Sequence, residues 1–176
     1  MIRLAEEKDI PQIAGIYDRI LDRQEEGGPS TGWQRGVYPT ADTAREALAL
    51  GELYVLEEAG LITAAARINQ EQVDVYAQCP WKYAAPPDRV LVLHTLVVDP
   101  AAAGKGCGTQ FVRFYEALAL EKDCPCLRMD TNEVNASARA LYRRLGYREA
   151  AILPCTFNGI SGVNLVCLEK HLMETR

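Results

Sequence analysis

Residues 98–111 read VDPAAAGKGCGTQF, and the fold turns on this stretch. Ahead of it, Val90 to Val98 is nearly all apolar, the pattern of a central strand covered on both faces. Behind it, Phe111, Phe114, Tyr115 and Leu118 recur at helical spacing and predict a helix from Gly106 to Leu120. Gly104, Gly106 and Gly108 therefore lie where a buried strand hands over to a helix. Side chains there would block a ligand, and the unpaired amides of a first helical turn point outward. Phosphate suits such a place: the helix dipole supplies about half a positive charge, and Lys105 supplies a full one.

Of two common phosphate motifs, one fails here and the other matches weakly. A P-loop needs Gly-Lys-Ser/Thr after four spacers, whereas Thr109, Gln110 and Phe111 follow Gly108. A dinucleotide motif needs Gly or Ala where Phe111 stands, and belongs near a first βαβ unit, not midway along the chain. Glycines that only permit a tight strand-to-helix turn remain an alternative until the rest of the chain is read.

Outward from the turn, Ile2 to Leu4 is a short strand, Asp9 to Leu21 a helix with Pro11 in its first turn, and Asp42 to Leu50 a second helix. Leu53 to Glu57 and Leu61 to Ile68 form a hairpin across Glu58-Ala59-Gly60. Leu127 to Asp130 is a strand, Ala136 to Leu145 a helix capped by Asn135 and ended by Gly146, and Tyr147 to Phe157 and Val163 to Glu169 are closing strands joined through Asn158-Gly159. The stretches 24–39 and 69–89 have no clear period; the second, rich in proline, has the length of a functional loop. The order is a strand, two helices, three strands, a helix, a strand, a helix and two strands. It makes one mixed α/β (α+β) domain over 1–176, not a regular βαβ alternation.

Composition narrows the function. With 176 residues, 48% hydrophobic and 24% charged, the chain can bury one sizeable core. A net charge of −5 argues against a broad nucleic-acid or membrane footprint. No apolar run reaches the roughly 18 residues of a membrane span, and Met1-Ile2-Arg3-Leu4 opens without a leader pattern, so a cytoplasmic protein is expected. The six cysteines have no repeating spacing and read as free thiols, and Cys124-Pro125-Cys126 lacks the second ligand pair of a zinc site, so no metal is expected.

A second motif lies downstream: Asn135, Ala138, Leu141, Tyr142, Gly146 and Tyr147. Together with Val98-Asp99-Pro100 and Gly106-Cys107-Gly108, it resembles the GNAT superfamily of N-acetyltransferases, and the element order agrees from Ile2 to Glu169. Ala103 departs from the pattern, which usually has Arg or Gln there. The resemblance implies a mostly antiparallel sheet of about six or seven strands with about four helices, splayed in the middle to admit acetyl-CoA. It implies that Leu96, Val97 and Val98 line the pantetheine arm with backbone groups. Ala103, Gly104, Lys105, Gly106, Cys107, Gly108 and Thr109 would cradle the pyrophosphate, and Asn135 and Ser137 would meet the cofactor from the other wall. The implied reaction is acetyl transfer to a primary amine by direct attack through a tetrahedral intermediate. The alternative is a silent CoA-binding module of the same fold.

Within that reading, Tyr142 is the acid for the departing thiolate. With ordinary pKa values of about 10 for tyrosine and 8.5 for a thiol, full transfer is uphill by roughly 2 kcal/mol, tolerable for a shared proton. Without the motif it would be a core aromatic. His94 is the candidate base, because an ordinary pKa near 6.5 leaves it mostly neutral and Leu93-His94-Thr95-Leu96 resembles a stretch of serotonin N-acetyltransferases; a buried core histidine is its other reading. Trp33, Tyr38, Trp81 and Tyr83 are candidate walls for the acceptor or else packing residues, and Asp130, with Glu25, Glu26 and Glu133, could attract a cationic amine. A small-molecule amine is the expected partner, with room left for a homodimer.

Overall fold

Alternating residues of neighbouring strands part to opposite faces of the sheet, and each face recruits its own helices. Val55 and Ala65 pack with Ile13, Ile16, Ala44 and Ala47, while Leu56, Ala64 and Ala66 pack with Phe111, Val112 and Tyr115. A computed structural model describes residues 1–173. Its elements are β1 (Ile2–Leu4), α1 (Ile10–Glu25), α2 (Ala41–Ala49), β2 (Leu53–Glu58), β3 (Leu61–Asn69), β4 (Val90–Val98), α3 (Cys107–Glu121), β5 (Cys126–Asn132), α4 (Ala136–Arg144), β6 (Arg148–Phe157) and β7 (Ile160–His171). The seven strands form one sheet in the order β1-β2-β3-β4-β5-β7-β6. Only β4 and β5 run parallel, and α3 supplies the crossover such a pair requires.

That parallel pair is where the sheet opens. β4 pairs with β5 from Val90–Cys126 to Leu93–Met129 and no further. Beyond it, β5 continues on β7 through Asn132, while β4 continues on β3 through Val98. On the β3 side, Arg67 faces His94 but Ala65 faces Val97, so β4 carries a bulge at Thr95 and Leu96. Thr95 has φ of 51°, a left-handed conformation rare for a β-branched residue. Its hydroxyl shares a hydrogen bond with that of Tyr38. The expectation of a strand buried on both faces therefore holds for Val90 to Leu93 and lapses at His94, where the neighbouring strand departs.

Ends of elements shift by a few residues from their expected places. α1 runs on to Glu25 because Gln24 is held at both ends: its Oε1 accepts from the amide and hydroxyl of Thr31, and its Nε2 donates to the Trp33 carbonyl. Asp9 precedes the helix. It is buried, with its carboxylate on Arg3 and on the Glu6 amide. β7 begins at Ile160, since Asn158 and Gly159, both at positive φ, form a two-residue hairpin turn. The stretch 69–89 holds short 3₁₀ turns at Asp74–Gln78 and Pro87–Arg89. Glu169 of β7 pins it, accepting from the Lys82 and Tyr83 amides and from Arg148.

Candidate active site

The fork between β4 and β5 is filled by two cavities. The first, about 470 Å³, is lined by Leu96, Val97 and Val98 of β4, by Ala103, Gly104, Gly106, Cys107, Gly108 and Thr109 of the turn, and by Asn135, Ser137, Leu141 and Tyr142. Gly106 is the N-cap of α3 with φ of 82°, and a Cβ there would project into open space. Among the described residues, the amides of Gly104, Gly106, Cys107, Gly108 and Thr109 have no protein acceptor, and Gln110 is the first to bond back, to Gly106. Gly108 differs: a Cβ would come within 3.0 Å of Leu141, so its smallness lets α3 approach α4. Cys107 is buried beneath the turn. Lys105 is exposed in the turn but is not part of the cavity wall.

α4 closes the other side. Asn135 caps it, accepting from the Ala138 amide at 3.1 Å, which leaves its Nδ2 to offer to a ligand. Tyr142 is 6% exposed. No described residue bonds its hydroxyl, which still reaches open volume. Burial foremost, then the nearby Asp130, pushes its pKa far above the ordinary value, so it holds its proton.

The second cavity, about 460 Å³, lies beyond Tyr142 and shares Thr31, Trp33, Leu96, Asn135, Ala138 and Tyr142 with the first. Trp33 and Tyr38 stand in its wall, edge to face with centroids 6.1 Å apart. His94 and Asp130 line it from the two arms of the fork. His94 Nε2 lies 2.7 Å from Asn69 Oδ1. That oxygen also accepts from the Glu71 amide, and the Asn69 amide nitrogen donates to Glu52, so the orientation of Asn69 makes Nε2 the donor. Burial, with Arg67 next in weight, lowers the imidazole to about 4, far from the value near 6.5 expected of it. Asp130 accepts from the Tyr76 hydroxyl at 2.6 Å, and burial raises its pKa to about 6.

Trp81, expected as an acceptor wall, lines neither cavity. Its indole N–H donates to the Tyr76 carbonyl and its ring lies 4.3 Å from the Arg128 guanidinium, so an aromatic in an irregular stretch has found a cation to cover. Tyr83 likewise lies outside both and packs against His171. Glu25 makes an ion pair with Arg35, and Glu133 accepts from Asn164.

Comparison with known proteins agrees with this geometry. The model of the acetyltransferase (GNAT) family matches residues 18–147, a span holding both the glycine turn and α4. The chain belongs to the GNAT acetyltransferase family. A GNAT-family acetyltransferase from Streptococcus agalactiae 2603 superposes with a TM-score of 0.79 at 23% identity, covering 97% of this chain and 94% of that one. An N-acetyltransferase from Staphylococcus aureus Mu50 gives 0.71 at 21%, covering 98% of each. A ribosomal-protein-alanine N-acetyltransferase from Brucella melitensis gives 0.71 at 18%, covering 98% and 99%. At these identities the likeness shows the GNAT fold alone. A search among curated proteins returns no match.

For this GNAT chain the cradle fits a CoA pyrophosphate, since five unpartnered amides belong to residues that line the cleft and Gly106 among them takes a left-handed conformation that favours glycine. Sequence reading missed Arg23 and Arg144, which also line the cleft. Both are exposed and make no ion pair among the described residues. The bulge at Thr95 was also missed, since nothing in Leu-His-Thr-Leu announces a left-handed residue. Tyr17 of α1 and Phe157 and Asn158 of the β6–β7 hairpin also line the second cavity, brought there from distant parts of the chain. All six cysteines are free, and no group of three His, Cys, Asp or Glu among the described residues could hold a metal.

Proposed function

We propose that the protein transfers the acetyl group of acetyl-CoA to a primary amine of a small molecule, by direct attack within the fork. The observation that carries this reading is the junction of two cavities at Leu96 and Tyr142, one shaped for a phosphate-bearing donor and one left for an acceptor. Acetyl-CoA in the first would supply the acetyl group and a thiolate leaving group. The glycine turn would hold its pyrophosphate, and the β5-facing edge of β4, unpaired after Leu93, would offer backbone groups to the pantetheine arm. Tyr142, protonated and with a hydroxyl no protein group engages, would give a proton to the departing sulfur.

A small acceptor is favoured by size and walls. A volume of about 460 Å³ lies within the range of small-molecule sites. Trp33 and Tyr38 from the stretch after α1, with Phe157 and Asn158 from the β6–β7 turn, narrow it in a way an extended peptide would not require. The Brucella neighbour acts on a ribosomal-protein alanine, so a peptide amine belongs in the test. We place the activity in the cytoplasm, in keeping with six unpaired cysteines.

The test is a screen of aliphatic diamines, amino sugars, amino acids and a basic peptide with acetyl-CoA, read by release of free thiol. A small amine should raise the rate at least tenfold over hydrolysis. Saturable binding of acetyl-CoA with no amine-dependent thiol would favour the silent module, and preference for the peptide would overturn the small-molecule assignment.

A further inference from the structure

Asp130 sits on β5 one residue past the last β4–β5 pair, at the apex of the fork and in the wall of the acceptor cavity. One carboxylate oxygen accepts from Tyr76. The other has no partner among the described residues and reaches open volume. The titratable groups felt around it are Tyr38 from the stretch after α1, Tyr76 from the 3₁₀ turn, Tyr142 from α4, Cys155 from β6 and Cys167 from β7. All five are neutral when protonated, and all are pushed further toward that form, mainly by burial. From β4 comes His94, also neutral, and the nearby Arg67 guanidinium is committed to Glu52 and Glu71. A half-buried carboxylate is thus left without a countercharge, an arrangement that costs free energy until a cation or proton arrives.

We infer that Asp130 is the group that takes the proton from the acceptor amine. This rests on the acetyl-transfer reading above. The amine nitrogen bonds to the thioester carbonyl carbon and the carbon–sulfur bond breaks. The nitrogen gives its proton to the free oxygen of Asp130, and the sulfur receives one from Tyr142. Solvent then returns the proton on Asp130 to the Tyr142 oxygen, so the net change moves one proton from nitrogen to sulfur. His94 is the poorer candidate on basicity. With its Nε2 proton given to Asn69 only Nδ1 is left to act, and burial, with Arg67 next in weight, lowers that imidazole to about 4.

The experiment compares wild type with Asp130→Asn, which keeps an acceptor for Tyr76, using the best aliphatic amine from the screen. In the wild type, log kcat/KM plotted against pH should steepen below about pH 6, because amine and base must both lose a proton. In the variant kcat/KM should fall at least 100-fold at pH 7.5 and the steepening should vanish. The thermal shift given by acetyl-CoA should be unchanged. A loss under threefold, or steepening that survives, would overturn the assignment. The wild-type profile is an arm that needs no variant: a constant slope through pH 6 overturns it equally. Wild type inert toward every amine would instead remove the transfer reading, and this inference with it.

Discussion

Most buried tyrosines spend their hydroxyls inside the protein. Tyr115 donates to the Leu91 carbonyl, Tyr76 to Asp130 and Tyr147 to Glu116, but Tyr142, like Tyr17 in the wall of the second cavity, bonds no described residue. Removing the Tyr142 hydroxyl should therefore leave the fold intact. We predict that Tyr142→Phe melts within about 2 °C of wild type and keeps KM for acetyl-CoA within about twofold, while kcat falls about 100-fold or more. Steady-state kinetics beside a thermal melt checks this, and equal loss of affinity would mark a packing role. At this scale the sequence was informative where function follows a local motif: Asn135 as cap and Tyr142 on the cleft side of α4 both follow from spacing along one helix. It was silent where an environment is assembled from distant parts. The depressed basicity of His94 comes from burial among packed elements and then from Arg67 of β3, and the neutral ring around Asp130 needs five separate segments.

Among the elements, α3 and the bulge of β4 answer different kinds of information. The left-handed turn at Gly106 is legible because glycine marks it, and its cost to other residues is calculable. Gly106→Val places a β-branched side chain at φ of 82° and into the cradle. We expect a destabilisation of about 1–3 kcal/mol and loss of the thermal shift from saturating acetyl-CoA. A full shift in a folded variant would remove the cradle from the phosphate site. The bulge carries no such mark. Thr95 takes a similar left-handed turn, helped by its bond to Tyr38 in a distant loop. The order and type of every strand and helix were readable from periodicity, whereas register was not, because register depends on which strand lies alongside.

For the whole molecule, the two opposed shifts at the fork set the response to acid. His94, lowered to about 4 from 6.5, is neutral when folded and protonated when unfolded between those values, so its contribution is lost as pH falls through that window. Asp130, raised to about 6 from 3.8, is protonated when folded and ionised when unfolded, so its contribution grows as pH falls below 6. Each is worth about 3 kcal/mol at its limit, and between pH 6 and 4 they oppose one another. Urea midpoints should thus change little for wild type over that range. Asp130→Asn should lose stability steeply on acidification and His94→Gln should gain, and parallel slopes for all three would contradict the assignment. Below pH 4 the lowered carboxylates of Asp9, Asp99 and Glu149 also lose their stabilising partners.

The shared wall of the two cavities has a bearing on the order of events. Thr31, Trp33, Leu96, Asn135, Ala138 and Tyr142 include no thiol, imidazole or amine. On the direct-attack reading proposed above, both reactants would have to be present together, each in its own chamber. Double-reciprocal plots at several fixed amine concentrations should then converge, and spent CoA should compete with its acetylated form without competing with the amine. The enzyme would work as a meeting place, idle whenever either guest is missing.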